Sequence, residues 1–337
     1  MARHTAAADH RPERGRRAAL RALAAAPAAA AAARAQGPAA WPDRPVRIVV
    51  PYAPGGANDI LARIYGARLS ERLGQPFVVE NRPGAQAILG TETVARAAPD
   101  GHTLLAGASG PMVFNPATYD RLPYATLRDL APVSLLAAFP LVLVVAADAP
   151  FGDLAALLAF GRAHPDRANY GASAASFQLP TELLNQRAGT RFTHVAYRGS
   201  ADTVNAAARG EVTMALVDAG PAVVASAAGR VRALAVTAPG RLPPWPEAPT
   251  MAELGFPELT VSLWSGLLAP AGTPPAVVDR LAAECAAVTR EAAVLERLRA
   301  LSLDPVGSTP EEFRRRIEAE LPLWAEVARA ANIRLER

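Results

Sequence analysis

Val46 to Arg63 reads V-R-I-V-V-P-Y-A-P-G-G-A-N-D-I-L-A-R, and its reading decides the fold class. Val46, Ile48, Val49 and Val50 make a short β-branched run of the kind that forms a buried strand, and Pro51 and Pro54 forbid its continuation. Gly55-Gly56 then opens backbone conformations closed to other residues, and Asn58 or Asp59 is placed to cap a helix beginning at Ile60. Strand, glycine turn and helix start follow in order. Such a turn presents unpaired N–H groups at the positive end of a helix dipole, a site suited to a phosphate or a carboxylate. Turns of this kind also occur in α/β proteins that bind nothing there. The three-glycine spacing of a dinucleotide fingerprint is absent, and no Gly-Lys-Ser/Thr marks a P-loop.

Upstream of this stretch, residues 1–40 hold seven Arg against two acids, with Arg16-Arg17 adjacent and an Ala-rich run from Ala22 to Ala33. Ala33-Arg34-Ala35 then supplies a small-residue cleavage pattern before Gln36. The expectation is a signal peptide over 1–35, cut near Ala35, with an apolar run too short for a membrane span of about 20 residues. The paired arginines point to twin-arginine export, the general secretory route being the alternative. A disordered Ala/Arg tail is the other reading of the same residues. No cysteine lies near the cut, so a lipid anchor there is not expected.

The leader also carries the charge. The whole chain has 35 basic residues, all Arg, and 31 acidic ones, a net +4; without the first 40 residues the counts are 28 and 29. No nucleic-acid surface is expected from that balance. The single Cys285 falls in a helical pattern from Val277 to Arg299, which leaves no intramolecular disulfide and no cysteine metal site. The five His have no metal-ligand spacing, so neither a metal nor another cofactor is expected.

About 300 residues beyond the leader can bury two cores of ordinary size. Strand-like runs at 46–50, 77–79, 103–106, 141–146, 193–196, 212–217 and 231–236 alternate with helix-like ones. The latter include 59–73, 91–98, 153–163, 180–188, 201–209, 275–300 and 310–331. This alternation predicts an α/β protein with parallel sheets. The Pro-rich piece from Pro239 to Pro249 reads as an ordered connection.

Several motifs then fit one pattern in one order. They are W-P-D-R-P-V-R-I-V-V-P-Y-A-P-G-G-A-N-D from Trp41, V-V-E-N-R-P-G-A at 78–85, A-A-P-D-G-H-T-L-L at 97–105 and Y-R-G-S at 197–200, followed by G-R-V-R-A-L-A-V-T at 229–237 and G-L-L-A-P-A-G-T-P at 266–274. On these residues the chain resembles the periplasmic substrate-binding receptors of tripartite tricarboxylate transporters, the Bug family. The resemblance covers roughly residues 41 to 335.

The resemblance implies a two-lobed periplasmic-binding-protein fold (type II), each lobe a mainly parallel sheet flanked by helices, with one small organic carboxylate held in the cleft between them. Lobe 1 is then expected at 36–140 plus 257–337 and lobe 2 at 141–256, with crossings near Ala138 to Val142 and Gly255 to Val261. The partners it implies are the carboxylate and the membrane subunits of such a transporter. The location it implies is the periplasm, and a monomer is expected. A sensory receptor serving a two-component signalling partner is the alternative.

By the same resemblance, one carboxylate of the ligand is held by Tyr52, Ala53, Pro54, Gly55, Gly56 and Asp59 and by a facing loop of Tyr197, Arg198, Gly199 and Ser200. Arg198 can also be read as a solvated side chain, since relatives usually carry Lys there and rely on backbone donors. A carboxylate facing an anion would repel it, so Asp59 reads more readily as a helix cap orienting the loop than as a direct contact. Tyr52 reads as a pocket wall. The Ser109 hydroxyl can reach the distal end of the ligand, and Asn115 is a further candidate. Y-G-A-S-A-A-S-F-Q-L-P-T-E at 170–182 departs from the family pattern, with Gln178 where His is common, and still offers Ser173, Ser176 and Gln178 as neutral hydrogen-bonding groups beside Phe177. Asp218, in V-D-A-G-P, can accept from a ligand amine or hydroxyl, or cap the following helix. Trp264 is a core residue or a cleft wall.

No catalytic residue is expected. Ser109 has Gly107 two before it but Pro111 two after, so the nucleophile-elbow pattern fails. Neither His102, in a Pro-Asp-Gly-His turn, nor His194, within an alternating strand, can be assigned a partner acid, which disfavours a hydrolase.

Overall fold

Strand β1, Val46–Val50, is buried along nearly its whole length and stops at Pro51. In the computed structural model, which describes residues 1–2 and 41–334, β1 pairs in parallel with β2 (Phe77–Asn81) on one side and β3 (Thr103–Ala108) on the other. The leader read over residues 1–35 lies outside the described residues. Between β1 and β2 runs the helix Ala57–Leu73, which begins three residues before the expected Ile60 and ends on Gly74 in a left-handed conformation. Helix Ile88–Ala95 links β2 to β3.

The chain then turns through a π-helical segment, Gly110–Phe114, and enters β4, Leu130–Ala146. The sequence pattern predicts only 141–146 as strand, because Pro132 and Pro140 interrupt the run before it. Both prolines sit where the ladder is irregular anyway: the register shifts beside Pro132, and Pro140 is the last residue paired with β9. Proline is tolerated at such points because no ladder N–H is lost.

From Leu141 onward β4 changes partners. Leu141–Val144 pair with β7 (Met214–Asp218) and Val142–Ala146 with β8 (Val231–Val236), whereas Leu130–Pro140 pair with β9 (Ser262–Pro270). Strands β5 (Asn169–Ala172) and β6 (Thr193–Ala196) complete the order β2-β1-β3-β9-β4-β7-β5-β6, with the two-residue β10 (Asp304–Pro305) and β8 also on β4. The sheet is parallel at both flanks and antiparallel through the middle. One strand therefore runs through both halves, with its change of partner between Pro140 and Leu141.

The helical run expected over 275–300 is two helices, Pro275–Thr289 and Ala292–Ala300. No proline or glycine breaks it. Glu291 stands in extended conformation at the break, and its carboxylate takes Arg68 Nε at 2.6 Å, an anchor onto the helix Ala57–Leu73 that local propensity cannot foresee. The last helix, Pro310–Ala330, opens on a capping box in which Glu312 accepts from the Thr309 N–H at 2.9 Å and Thr309 Oγ1 accepts from the Glu312 N–H at 3.2 Å. It lays Phe313, Ile317 and Trp324 on the sheet. Trp264 is fully buried there, edge-on to Phe313 at 5.1 Å, and donates its indole N–H to Glu320 at 2.8 Å. No described helix is long and apolar enough to cross a membrane.

Candidate functional site

The ends of β1, β3, β5 and β7 open onto a cavity of about 510 Å³. Open parallel sheets present their ligand sites at the carboxyl ends of their strands, so this placement follows from the topology.

Three helices begin at its wall. Ala57 and Asn58 come from the first turn of Ala57–Leu73, Ala175 and Ser176 from that of Ala175–Ala188, and Ala219 and Gly220 from that of Ala219–Ala227. Their N-cap positions are Gly56, Ala174 and Asp218, and no side chain caps any of the three. Each start leaves backbone donors and about half a positive charge facing the cavity. Among the described residues, no Arg lines the wall.

The loop before the first of these helices is held from behind. Asp59, buried in the third helical position, accepts the Gly55 N–H at 2.9 Å, Arg63 Nε at 3.1 Å and Asn81 Nδ2 at 2.9 Å, and that Asn81 amide also donates to Tyr52 O at 3.1 Å. Asp59 is thus neither an N-cap, which is Gly56, nor part of the cavity wall: the helix starts early enough to put its carboxylate inside the turn it ties together. Burial pushes its carboxyl up, but the hydrogen bonds from Arg63, Gly55 and Asn81 outweigh that and hold it below its ordinary value.

Of the remaining expected site residues, Tyr52, Ser109, Ser173, Ser176, Gln178, Tyr197 and Asp218 meet at the cavity. Ala53, Pro54, Gly55 and Gly56 are exposed and outside its wall, as is Arg198, and Gly199 and Ser200 are half-buried and also outside it. On both sides the glycine turns lead up to the helices instead of lining the cavity, and Gly55-Gly56 face solvent. On the first side, the residues after the turn supply the wall. In the other half, the helix starts at Ala175 and Ala219 occupy the place that the sequence reading gives to Ser200. The short connection Ser173-Ala174 between β5 and its helix brings that start to the wall.

The phenol of Tyr52 is desolvated, with Tyr124 nearby, and titrates above its ordinary range, so it stays a neutral O–H donor. Ser109, almost fully buried, lines the wall and its Oγ accepts the Trp264 backbone N–H at 3.4 Å. Asn115 lines the wall and donates to Gln86 O at 2.9 Å, holding a segment in which Ala85, Gln86 and Ala87 all have positive φ. His194 stands at the wall with Nε2 3.4 Å from Ala172 O and its ring 5.3 Å from that of Tyr170. The apolar part of the wall includes Phe139, Phe177 and Leu263.

Sequence reasoning missed Asn58, His194, Phe139 and the Leu301–Leu303 turn as wall residues. Asn58 was visible as a helix-start residue. The Leu301–Leu303 turn carried no signal, since it lies outside every motif read from the sequence. Among the described residues no cluster of His, Cys, Asp and Glu is suited to a metal ion, and Cys285 is fully buried in its helix.

Residues 61–333 match the model of the tripartite tricarboxylate transporter family receptor. The chain belongs to that receptor family. This receptor is 37% identical over 300 residues to Protein BugT of Bordetella pertussis, covering 88% of this chain and 92% of that one. Among solved structures it is similar to an R. palustris protein with adipate, at a TM-score of 0.77 and 35% identity over 88% of this chain and 100% of that one. It is also similar to MatC from Rhodopseudomonas palustris with bound malate, at a TM-score of 0.73 and 32% identity over 85% and 99% of the two chains. The family consists of solute-binding receptors, which accords with a wall built of helix starts and neutral hydroxyls.

Proposed function

We propose that this receptor captures a small organic carboxylate in the cavity and delivers it to the membrane subunits of a tripartite tricarboxylate transporter. The observation that carries the reading is the convergence of three uncapped helix starts on a cavity without an arginine in its described wall. Unpaired N–H groups at a helix start bind anions without a counter-charge. The adipate and malate held by two similar proteins are of the same chemical class.

In this reading the chain works as two lobes, 36–140 plus 257–337 and 141–256, in the periplasm, as a monomer, after removal of the leader. Tyr52 and Ser109 belong to one lobe; Ser173, Ser176, Gln178, Tyr197 and Asp218 belong to the other. A ligand touching both stabilises the closed arrangement over the open one, and the closed form is what the membrane partner selects. No chemistry is done on the ligand. The backbone of the glycine turns, with Asp59 behind it, sets the angle of the first helix, and Ala53, Pro54, Arg198, Gly199 and Ser200 form the rim.

Thermal-shift titration of the chain against small carboxylates and their uncharged amides tests this. A ligand at a hundredfold excess over its Kd stabilises the native state by about 2.7 kcal/mol, a readily measured shift. A rise with an acid and none with its amide is expected. Equal shifts with both would refute carboxylate capture.

A further inference from the structure

Between β2 and the helix Ile88–Ala95, Ala85, Gln86 and Ala87 have φ of 46°, 52° and 70°, three successive residues with side chains in the left-handed region. Gly84 before them, at 134°, is free of the penalty that a Cβ brings there; the other three are not. Such a backbone persists only where its surroundings over-determine it, and it gathers at ligand clamps. Here all three carbonyls are held: the Ile88 N–H donates to Ala85 O at 3.0 Å, Asn115 Nδ2 to Gln86 O at 2.9 Å and Thr91 Oγ1 to Ala87 O at 2.8 Å. The helix that follows is packed closely on the loop after β1, since a Cβ on Gly90 would lie 2.8 Å from Pro51 Cα. Ala87 is buried, whereas Gln86 is exposed and stands at the cavity wall beside no helix start. Its side-chain amide makes no hydrogen bond to the described residues. Glycine would take this backbone freely, so the Gln86 side chain is kept at a cost to the free protein. A contact made only with ligand bound offsets that cost.

We propose that Gln86 is a specificity-determining residue whose side-chain amide donates to a carboxylate of the ligand, with Asn115 as the residue that positions it. The inference rests on the carboxylate reading above and adds to it a side-chain donor that belongs to none of the three helix starts. The amide is neutral and brings no counter-charge to a wall whose described residues include no arginine. It selects by the direction of its N–H groups, which the pinned backbone fixes from Gln86 O outward. Gln86→Glu keeps the shape and replaces the donor by an acceptor of the ligand's own charge, which turns the contact into a repulsion.

The test is calorimetric titration of the full chain and of its Gln86 variants with straight-chain diacids of four to six carbons and with their diamides. Gln86 is exposed, so its variants leave the core as it is. Gln86→Ala should bind the acids about tenfold more weakly, the loss expected for a hydrogen bond to a charged group, and Gln86→Glu more weakly still. Melting of the free variants gives a second readout. Gln86→Gly should melt about 2 °C above Gln86→Ala, the reverse of their order at an ordinary position, because only glycine is free of the left-handed penalty. Asn115→Ala should lose affinity in the natural chain and lose none further on top of Gln86→Ala; additive losses would remove its positioning role. Undiminished affinity in Gln86→Ala, or Gln86→Gly melting below Gln86→Ala, would overturn the inference while leaving carboxylate capture intact. Diamides bound as tightly as diacids, with affinity lost in Gln86→Ala, would keep Gln86 as a ligand contact and overturn carboxylate capture. Absence of binding by every compound would overturn both.

Discussion

Asp59 Oδ2 accepts the N–H of Gly55 at 2.9 Å, so the loop after β1 is tied to the helix that follows it by a buried carboxylate. Asp59→Ala leaves the Gly55 N–H, the Asn81 amide and Arg63 without their acceptor. A loss of about 2 kcal/mol is expected, from hydrogen bonds to a charged group of which one partner, Arg63, is half exposed. In a domain of this size that lowers Tm by several degrees in a melting experiment. The Asp59 carboxyl titrates below its ordinary 3.8 in the folded chain, so its contribution is fully present above that value and fades as pH falls through the lower folded value. The gap between wild type and Asp59→Asn should therefore narrow on acidification below pH 3.8; a gap that widens there would contradict the assignment.

The Tyr52 phenol oxygen would lie 2.9 Å from a Cβ placed on Gly110. Gly110→Ala should therefore turn the phenol aside at little cost to the fold, since the clashing atom is the tip of a side chain. Affinity for the carboxylate should fall about tenfold with Tm of the free protein changed by only a degree or two. Unchanged affinity in calorimetry would remove Tyr52 from the ligand's contacts.

Gly55 and Gly199 differ although both precede helices. Gly55 has a φ of +89°, whereas Gly199 is extended at −169°, and a Cβ at either meets nothing within 4 Å. Gly199→Ala should be neutral within about 0.5 kcal/mol in denaturant unfolding and should leave affinity unchanged. Gly55→Ala should cost about 1 to 2 kcal/mol through the left-handed backbone. Strong loss of binding in Gly199→Ala would return that turn to the centre of the site.

Glu320 is half-buried beside Trp264, where it accepts from Trp264 Nε1 at 2.8 Å and Arg316 Nε at 2.8 Å. Burial raises its carboxyl above the ordinary 4.5 against the opposing pull of Arg316 and Trp264. An acid raised by folding stabilises fully below its unfolded value, and the benefit disappears as pH rises through the folded one. Glu320→Gln keeps an acceptor for the indole and has nothing to ionise. Its stability relative to wild type should improve as pH rises from 4 to 7 in urea titrations, and a decline over that range would show that the Arg316 pairing dominates instead.

Local rules reached far in this chain. The run of β-branched residues before Pro51 could only be a buried strand, and Gly55-Gly56 could only turn into a helix, so the flank of the sheet and the first helix start were legible. So were β6 with the turn after it, and the span of the last helix, expected over 310–331 and found at Pro310–Ala330. What escaped was set by partners distant in sequence. Pro132 and Pro140 hid the first two-thirds of β4, because only its neighbours in the sheet show that both prolines fall at irregular points of the ladder. The break at Glu291, in a run with no proline or glycine, coincides with a contact to Arg68 from a helix some 220 residues earlier, which no local window contains.

The residues by themselves determined an α/β protein with glycine turns ahead of helix starts, because strand, turn and capping preferences act over a few neighbouring positions. Which helix starts face the cavity was decided by the tertiary structure alone. The turns at Gly55 and Gly199 carry the strongest local signal, yet the wall is made of Ala57, Ala175 and Ala219 with Asp218 among them. That outcome depends on how β4 carries the chain from one set of partners to the other, a long-range pairing that no short window of sequence encodes.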